Sequence, residues 1–132
     1  MDPVVHFEMP YRDRDRAARF YAEAFGWQME KLGPQMGDYV LATTATTDAR
    51  PGAPAGAING GLFPFGADAP AQHPGVVIGV DDVRAAMARI TDAGGRVLGE
   101  PMAIPGVGDY VAFIDTEGNR HSVLQPQPMP AR

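Results

Sequence analysis

The feature that most constrains the fold is internal repetition of structural punctuation. In the first half, an apolar-alternating stretch Val4–Met9 is followed by a helix-capping Asp13, apolar residues at helical spacing (Ala17, Phe20, Tyr21, Ala24, Phe25) and a helix-stopping Gly26. In the second half, Val76–Val80 is followed by Asp81 or Asp82 as the cap. Val83, Ala86, Met87 and Ile90 come next, then Gly94 and Gly95 as the stop. The tetrapeptide Gly-Asp-Tyr-Val then stands once at Gly37–Val40 and again at Gly108–Val111. Asp13 and Asp82 lie 69 positions apart and the two glycines that open the tetrapeptides 71, so cap, stop and strand entry recur in register. A repeat expressed at several levels at once points to a duplicated supersecondary unit.

Each copy reads βαβββ. In the first, strands fit Val4–Met9, Trp27–Leu32, Asp38–Thr44 and Ala57–Phe63, with the Pro/Gly-rich loop at 48–56 before the last of them. In the second, they fit Val76–Val80, Arg96–Pro101, Asp109–Asp115 and His121–Gln125. The expected organisation is one domain of two modules, about 4–63 and 76–125, joined by a linker over 64–75.

Composition excludes several function classes. The 132 residues carry 11 Lys and Arg against 16 Asp and Glu, a net charge of −5 with no basic stripe, so nucleic acid is not an expected partner. No apolar run reaches the roughly 20 residues of a membrane span, and the N-terminus has neither basic start nor long apolar stretch, so a cytoplasmic protein with no membrane partner is expected. The absence of cysteine removes disulfides, thiolate nucleophiles and Cys-based zinc sites. Any metal would need His, carboxylate and water.

The stretch HFEMPYRDRDRAARFYAEAFGW resembles the opening of the vicinal oxygen chelate superfamily, which includes glyoxalase I, bleomycin-resistance proteins and extradiol dioxygenases. VDDVRAAMARITDAGGRVLGEPMAIPGVGDYVAFIDTEGNRHSVLQP resembles its second module, with DTEG at the turn that usually reads Asp-Pro-x-Gly. The resemblance implies an α+β fold: tandem βαβββ modules forming a cupped mixed β-sheet, helices on the convex side and a ligand in the concavity. It also implies a homodimer, in which modules pair within one chain or between chains. Open sheet edges that need covering support the same expectation.

The superfamily's enzymes hold a divalent ion with four side chains, two from each module. Counted from the helix cap, the first position falls on His6. The others fall on Asn59 or Gly60, on Gly75 and on Ser122, none of which is an imidazole or carboxylate. His6 is thus the sole matching ligand position, no cofactor is firmly implied, and a divalent metal rebuilt from His6, Glu8 and His73 is the lesser alternative. His121 is expected to pack on the helix side.

The leading reading is therefore a protein that binds a small organic ligand in the sheet cavity without the full metal site. His6 and Glu8 alternate away from Val5, Phe7 and Met9 into the cup. Asn59, Ser122, Tyr39 and Tyr110 join them as ligand-binding candidates, and Trp27, Phe63 and Phe65 are further aromatics that could wall a planar ligand. The catalytic residues are not legible, with Glu8 the candidate proton-transfer group. The alternative is a metal-dependent lyase, isomerase or dioxygenase whose altered site includes His6. Gly60 and Gly61 signal a bulge or a close backbone approach. Asp115, Glu117 and Gly118 read as a tight turn without chemistry.

Overall fold

In a computed structural model, residues 1–45, 58–67 and 72–127 are described; the expected loop at 48–56 lies outside them. Chain contacts gather into two compact units, His6–Pro74 and a second made of Gly75–Arg132 together with Met1–Val5.

The first unit draws on β1 (Val4–Tyr11), α1 (Arg14–Phe25), β2 (Gln28–Lys31), a 3-10 turn (Pro34–Met36), β3 (Val40–Thr43) and β4 (Gly60–Pro64). Asp13 caps α1 by accepting a hydrogen bond from the Arg16 N–H at 3.0 Å, and Gly26 ends it in the left-handed region at φ 72°. The strands lie in the order β2-β3-β4-β1, with β4 and β1 parallel and the other pairs antiparallel. The core, on the helix side, is built on Val40, Ala42 and Leu62, with Phe7, Met9 and Tyr11 of β1, Ala17 and Tyr21 of α1, and Trp27 and Met29 packed against it. Trp27 stacks on Tyr21 with centroids 4.9 Å apart and planes 10° apart. Phe20 and Phe25, expected on the buried face of α1, are 50% and 64% exposed, because they flank the line of Ala17 and Tyr21 that meets the sheet.

The second unit repeats the plan with β5 (Gly75–Gly79), α2 (Val83–Asp92), β6 (Arg96–Val97), β7 (Met102–Ile104), β8 (Gly108–Ile114) and β9 (Arg120–Pro126). Its order is β6-β8-β9-β5, again with the first and last strands parallel and the others antiparallel. Asp82 rather than Asp81 is the cap, accepting from the N–H groups of Arg84 and Ala85. Val80, Val83, Ala86, Val111, Phe113 and Val123 form the core. The same order in both units, mixed pairing and one helix each make this the α+β architecture expected.

One strand differs from expectation. Arg96–Pro101 is extended only at Arg96–Val97, after which Leu98 gives its N–H to Ala112 and the ladder breaks at Gly99 (φ 97°) and Pro101. The chain returns to β8 as β7, pairing Met102 with Tyr110. A proline without an N–H and a glycine at positive φ account for the interruption.

The paired tetrapeptides are structurally equivalent at their last two residues. Val40 faces Leu62 and Val111 faces Val123 in equivalent antiparallel pairs, both valines almost fully buried. Upstream they diverge: Gly37 and Asp38 form a left-handed turn at φ 67° and 53°, whereas Gly108 already belongs to β8.

Candidate ligand-binding face

Side chains alternate along β1, so with Phe7 and Met9 packed under α1, His6 and Glu8 belong to the opposite face of the sheet. There the Tyr39 hydroxyl lies between them. It donates to Glu8 Oε2 at 3.0 Å and stands 3.0 Å from His6 Nε2. Tyr39 precedes β3, and β4 runs between β3 and β1, so the phenol has to cross β4 to reach its partners. It crosses at Gly61, which pairs with Glu8 on one side and Leu41 on the other. A Cβ at Gly61 would stand 2.0 Å from the Tyr39 hydroxyl oxygen, and one at Gly60 would stand 2.5 Å from the Phe7 ring. The two glycines thus admit one aromatic ring on each face of β4; neither marks a bulge.

The turn before Tyr39 is held from several sides. The Tyr11 hydroxyl donates to the Asp38 carbonyl at 2.7 Å, and Arg14 lies 3.8 Å from the Asp38 carboxylate. Burial pushes the Tyr11 phenol above its usual range, against the opposing effect of Arg14. His6 is pulled below its usual value by burial, with Glu8 acting in the opposite direction.

In the second unit, the Ser122 hydroxyl donates to the Tyr110 hydroxyl at 2.6 Å, and Ser122 is 3% exposed. The register set by Val40 and Val111 makes Tyr110 the counterpart of Tyr39, Val77 that of Glu8, Gly75 that of His6 and Ser122 that of Gly61. The counterpart of Ser122 is therefore Gly61, not Asn59 or Gly60. A slip of one residue exchanges the faces of a strand, and Gly60 lies on the helix side beneath Phe7.

The remaining candidates are placed as follows. Asn59 Oδ1 accepts from the N–H groups of Thr44 and Ala45 at 2.8 and 3.0 Å, tying the end of β3 to the start of β4. Trp27 belongs to the helix-side core, Phe65 lies under the Arg12 guanidinium at 4.0 Å, and Phe63 is half-buried in β4. His121 packs beside Phe113 and accepts the Val76 N–H at Nδ1. Asp115 accepts from the N–H groups of Glu117 and Asn119, and these bonds hold its carboxyl below the usual range; it serves the turn.

Residues 4–123 match the Glyoxalase/Bleomycin resistance protein/Dioxygenase superfamily. The chain belongs to that superfamily. A glyoxylase-like domain-containing protein of Didymella fabae is 32% identical over 127 residues, covering 91% of each chain. A putative glyoxylase of Mycobacterium bovis is 43% identical over 57 residues, 43% of this chain and 22% of that protein. Among solved structures, methylmalonyl-CoA epimerase in complex with methylmalonyl-CoA and NH4+ is similar with a TM-score of 0.69 at 19% identity, covering 100% of this chain and 99% of the other. The Mycobacterium tuberculosis methylmalonyl-CoA epimerase gives 0.67 at 16%, covering 95% and 88%. At such identities the structures attest the shared fold.

The superfamily's divalent ion does not fit the residues present. In the first unit His6 Nε2 is engaged by Tyr39, and the companion position is Gly61, whose side-chain space the same phenol fills. In the second, a Cβ at Gly75 would meet the Arg120 carbonyl oxygen at 2.5 Å, and the Ser122 hydroxyl is committed to Tyr110. Among the described residues no three His or acidic side chains gather to hold a metal, so His73 does not complete a set with His6 and Glu8. Sequence reasoning named Tyr39 and flagged Gly61 but missed their relationship. The one signal for it was the Gly-Gly pair inside a strand, which implies a close approach without saying by what.

Proposed function

We propose that this superfamily member binds a small organic ligand on the helix-free face of the His6–Pro74 unit, through His6, Tyr39 and Glu8 and without the superfamily's metal. One observation carries the reading: a single phenol hydroxyl holds both an imidazole and a carboxylate on that face. Polar groups withdrawn from water cost free energy unless paired, and a trio with fixed donors and acceptors is a means of orienting a polar ligand atom in apolar surroundings. Tyr110 and Ser122 form a smaller polar pair in the second unit and belong to the same proposal. The donor geometry favours this reading over a metal-dependent lyase, isomerase or dioxygenase. A cytoplasmic homodimer is part of the proposal: β2 ends one side of the first unit's strand order and β6 and β7 one side of the second's, and an exposed edge favours pairing. No helix among the described residues is long and apolar enough to cross a membrane.

Native mass spectrometry of protein purified without added ligand tests the reading. A small organic adduct that is retained by the wild type and lost in His6→Ala supports it. An adduct equally retained by His6→Ala removes His6 from the site.

A further inference from the structure

We infer that His6 Nδ1 is a hydrogen-bond acceptor, fixed in that role by Tyr39, and that it selects ligands carrying a hydroxyl or N–H group. The inference rests on the binding-face reading above and follows from counting protons along the trio. A carboxylate only accepts, so the single proton of the Tyr39 hydroxyl goes to Glu8 Oε2. The Tyr39 oxygen then faces His6 Nε2 with a lone pair, and the 3.0 Å contact requires Nε2 to carry a hydrogen. In a neutral imidazole the other nitrogen, Nδ1, is left with its lone pair.

Nδ1 makes no hydrogen bond among the described residues, and no fully buried side-chain nitrogen or oxygen there lacks a partner, so Nδ1 is not sealed from solvent. An acceptor presented this way complements a donor. It repels a carboxylate or other acceptor-only group, and the negative charge of Glu8 on the same strand face adds to that discrimination. The superfamily's ion, by contrast, would attract vicinal oxygens. Tyr39 acts here as a positioning residue: it sets which nitrogen bears the proton.

The test uses the full-length protein with 15N-labelled histidine at pH 8. Long-range 1H–15N spectra separate the tautomers, and the His6 signals are those lost in His6→Gln. Protonated Nε2 with unprotonated Nδ1 is the expected pattern. Tyr39→Phe keeps the ring over Gly61, so the fold persists, and should lower the ratio of Nε2–H to Nδ1–H forms about fivefold, equivalent to one hydrogen bond. Titration with phenol and with benzoate then reads selectivity at the same signals, with phenol binding at least about fivefold more tightly.

An Nδ1–H tautomer in the free protein, or a tautomer ratio unmoved by Tyr39→Phe, overturns the inference and leaves the binding-face reading standing. Benzoate binding as tightly as phenol does the same. If the tautomer is as expected but neither probe perturbs His6, the binding-face reading fails, and the selectivity inference with it.

Discussion

Tyr39 occupies the space that a side chain at Gly61 would need: a Cβ there would stand 2.0 Å from the phenol oxygen and 2.1 Å from the ring carbon that bears it. This is how a residue beside β3 reaches across β4 to His6 and Glu8. Gly61→Ala should expel the phenol and break both bonds of the trio, with an overpacking cost of about 1–3 kcal/mol. Urea denaturation gives the stability change, and loss of the Nε2–H bias at His6 reports the displaced phenol. A full-strength trio in Gly61→Ala would show that glycine is not needed there.

Gly75 should resist restoration of a metal ligand. Its missing Cβ would meet backbone, the Arg120 carbonyl oxygen at 2.5 Å, which has less freedom to yield than a side-chain tip. Gly75→His is expected to destabilise the protein by about 1–3 kcal/mol, or more, and to confer no metal affinity. Thermal denaturation with and without nickel checks both halves of that statement: a Tm raised by nickel in the variant but not in the wild type would count against it.

The His6 imidazole is held below its ordinary value of about 6.5 by burial, opposed by Glu8. The unfolded chain therefore takes up a proton at His6 at a higher pH than the folded one does. Its contribution to stability is full above about pH 6.5 and is lost as pH falls through the lower, folded value. Wild type should lose stability relative to His6→Gln between pH 8 and pH 5, measured as the difference in urea midpoints. A difference that stays constant, or that grows in favour of the wild type on acidification, contradicts the assignment.

Much of this fold was legible because its signals are local. Asp13, Gly26 and Asp82 punctuate helices through their own side chains or backbone freedom, and they stand where the pattern put them. The paired tetrapeptides were legible as a repeat, but only Tyr39-Val40 and Tyr110-Val111 are structurally equivalent, because a turn and a strand can both precede the same buried valine. The expected strand Arg96–Pro101 ran without a break through Gly99; neither the interruption there nor the return of the chain to the same neighbour as β7 was read from the sequence.

The candidate site was legible by residue and not by register. Alternation placed His6 and Glu8 together, yet nothing along β4 said which of two adjacent glycines faced them. That depends on pairing with a strand about fifty residues away in sequence, where a slip of one position exchanges the faces. Asn59 is a candidate because the superfamily's ligand position on the last strand of the first module falls on it or on Gly60, and its amide oxygen ties Thr44 and Ala45 to β4. Asn59→Ala should cost about 1–3 kcal/mol by leaving two N–H groups without their acceptor, and should leave the His6 tautomer unchanged. Urea denaturation and the same 15N spectra test this; a variant as stable as the wild type would refute the structural role.

His6, Tyr39 and Glu8 are proposed to form a metal-independent binding trio. Equilibrium dialysis of chelator-free protein against nickel, zinc, iron(II) and manganese, followed by elemental analysis, tests it most directly. Retention well below one ion per chain is expected, with no difference between wild type and His6→Ala. One ion per chain retained by the wild type and lost in His6→Ala would contradict it.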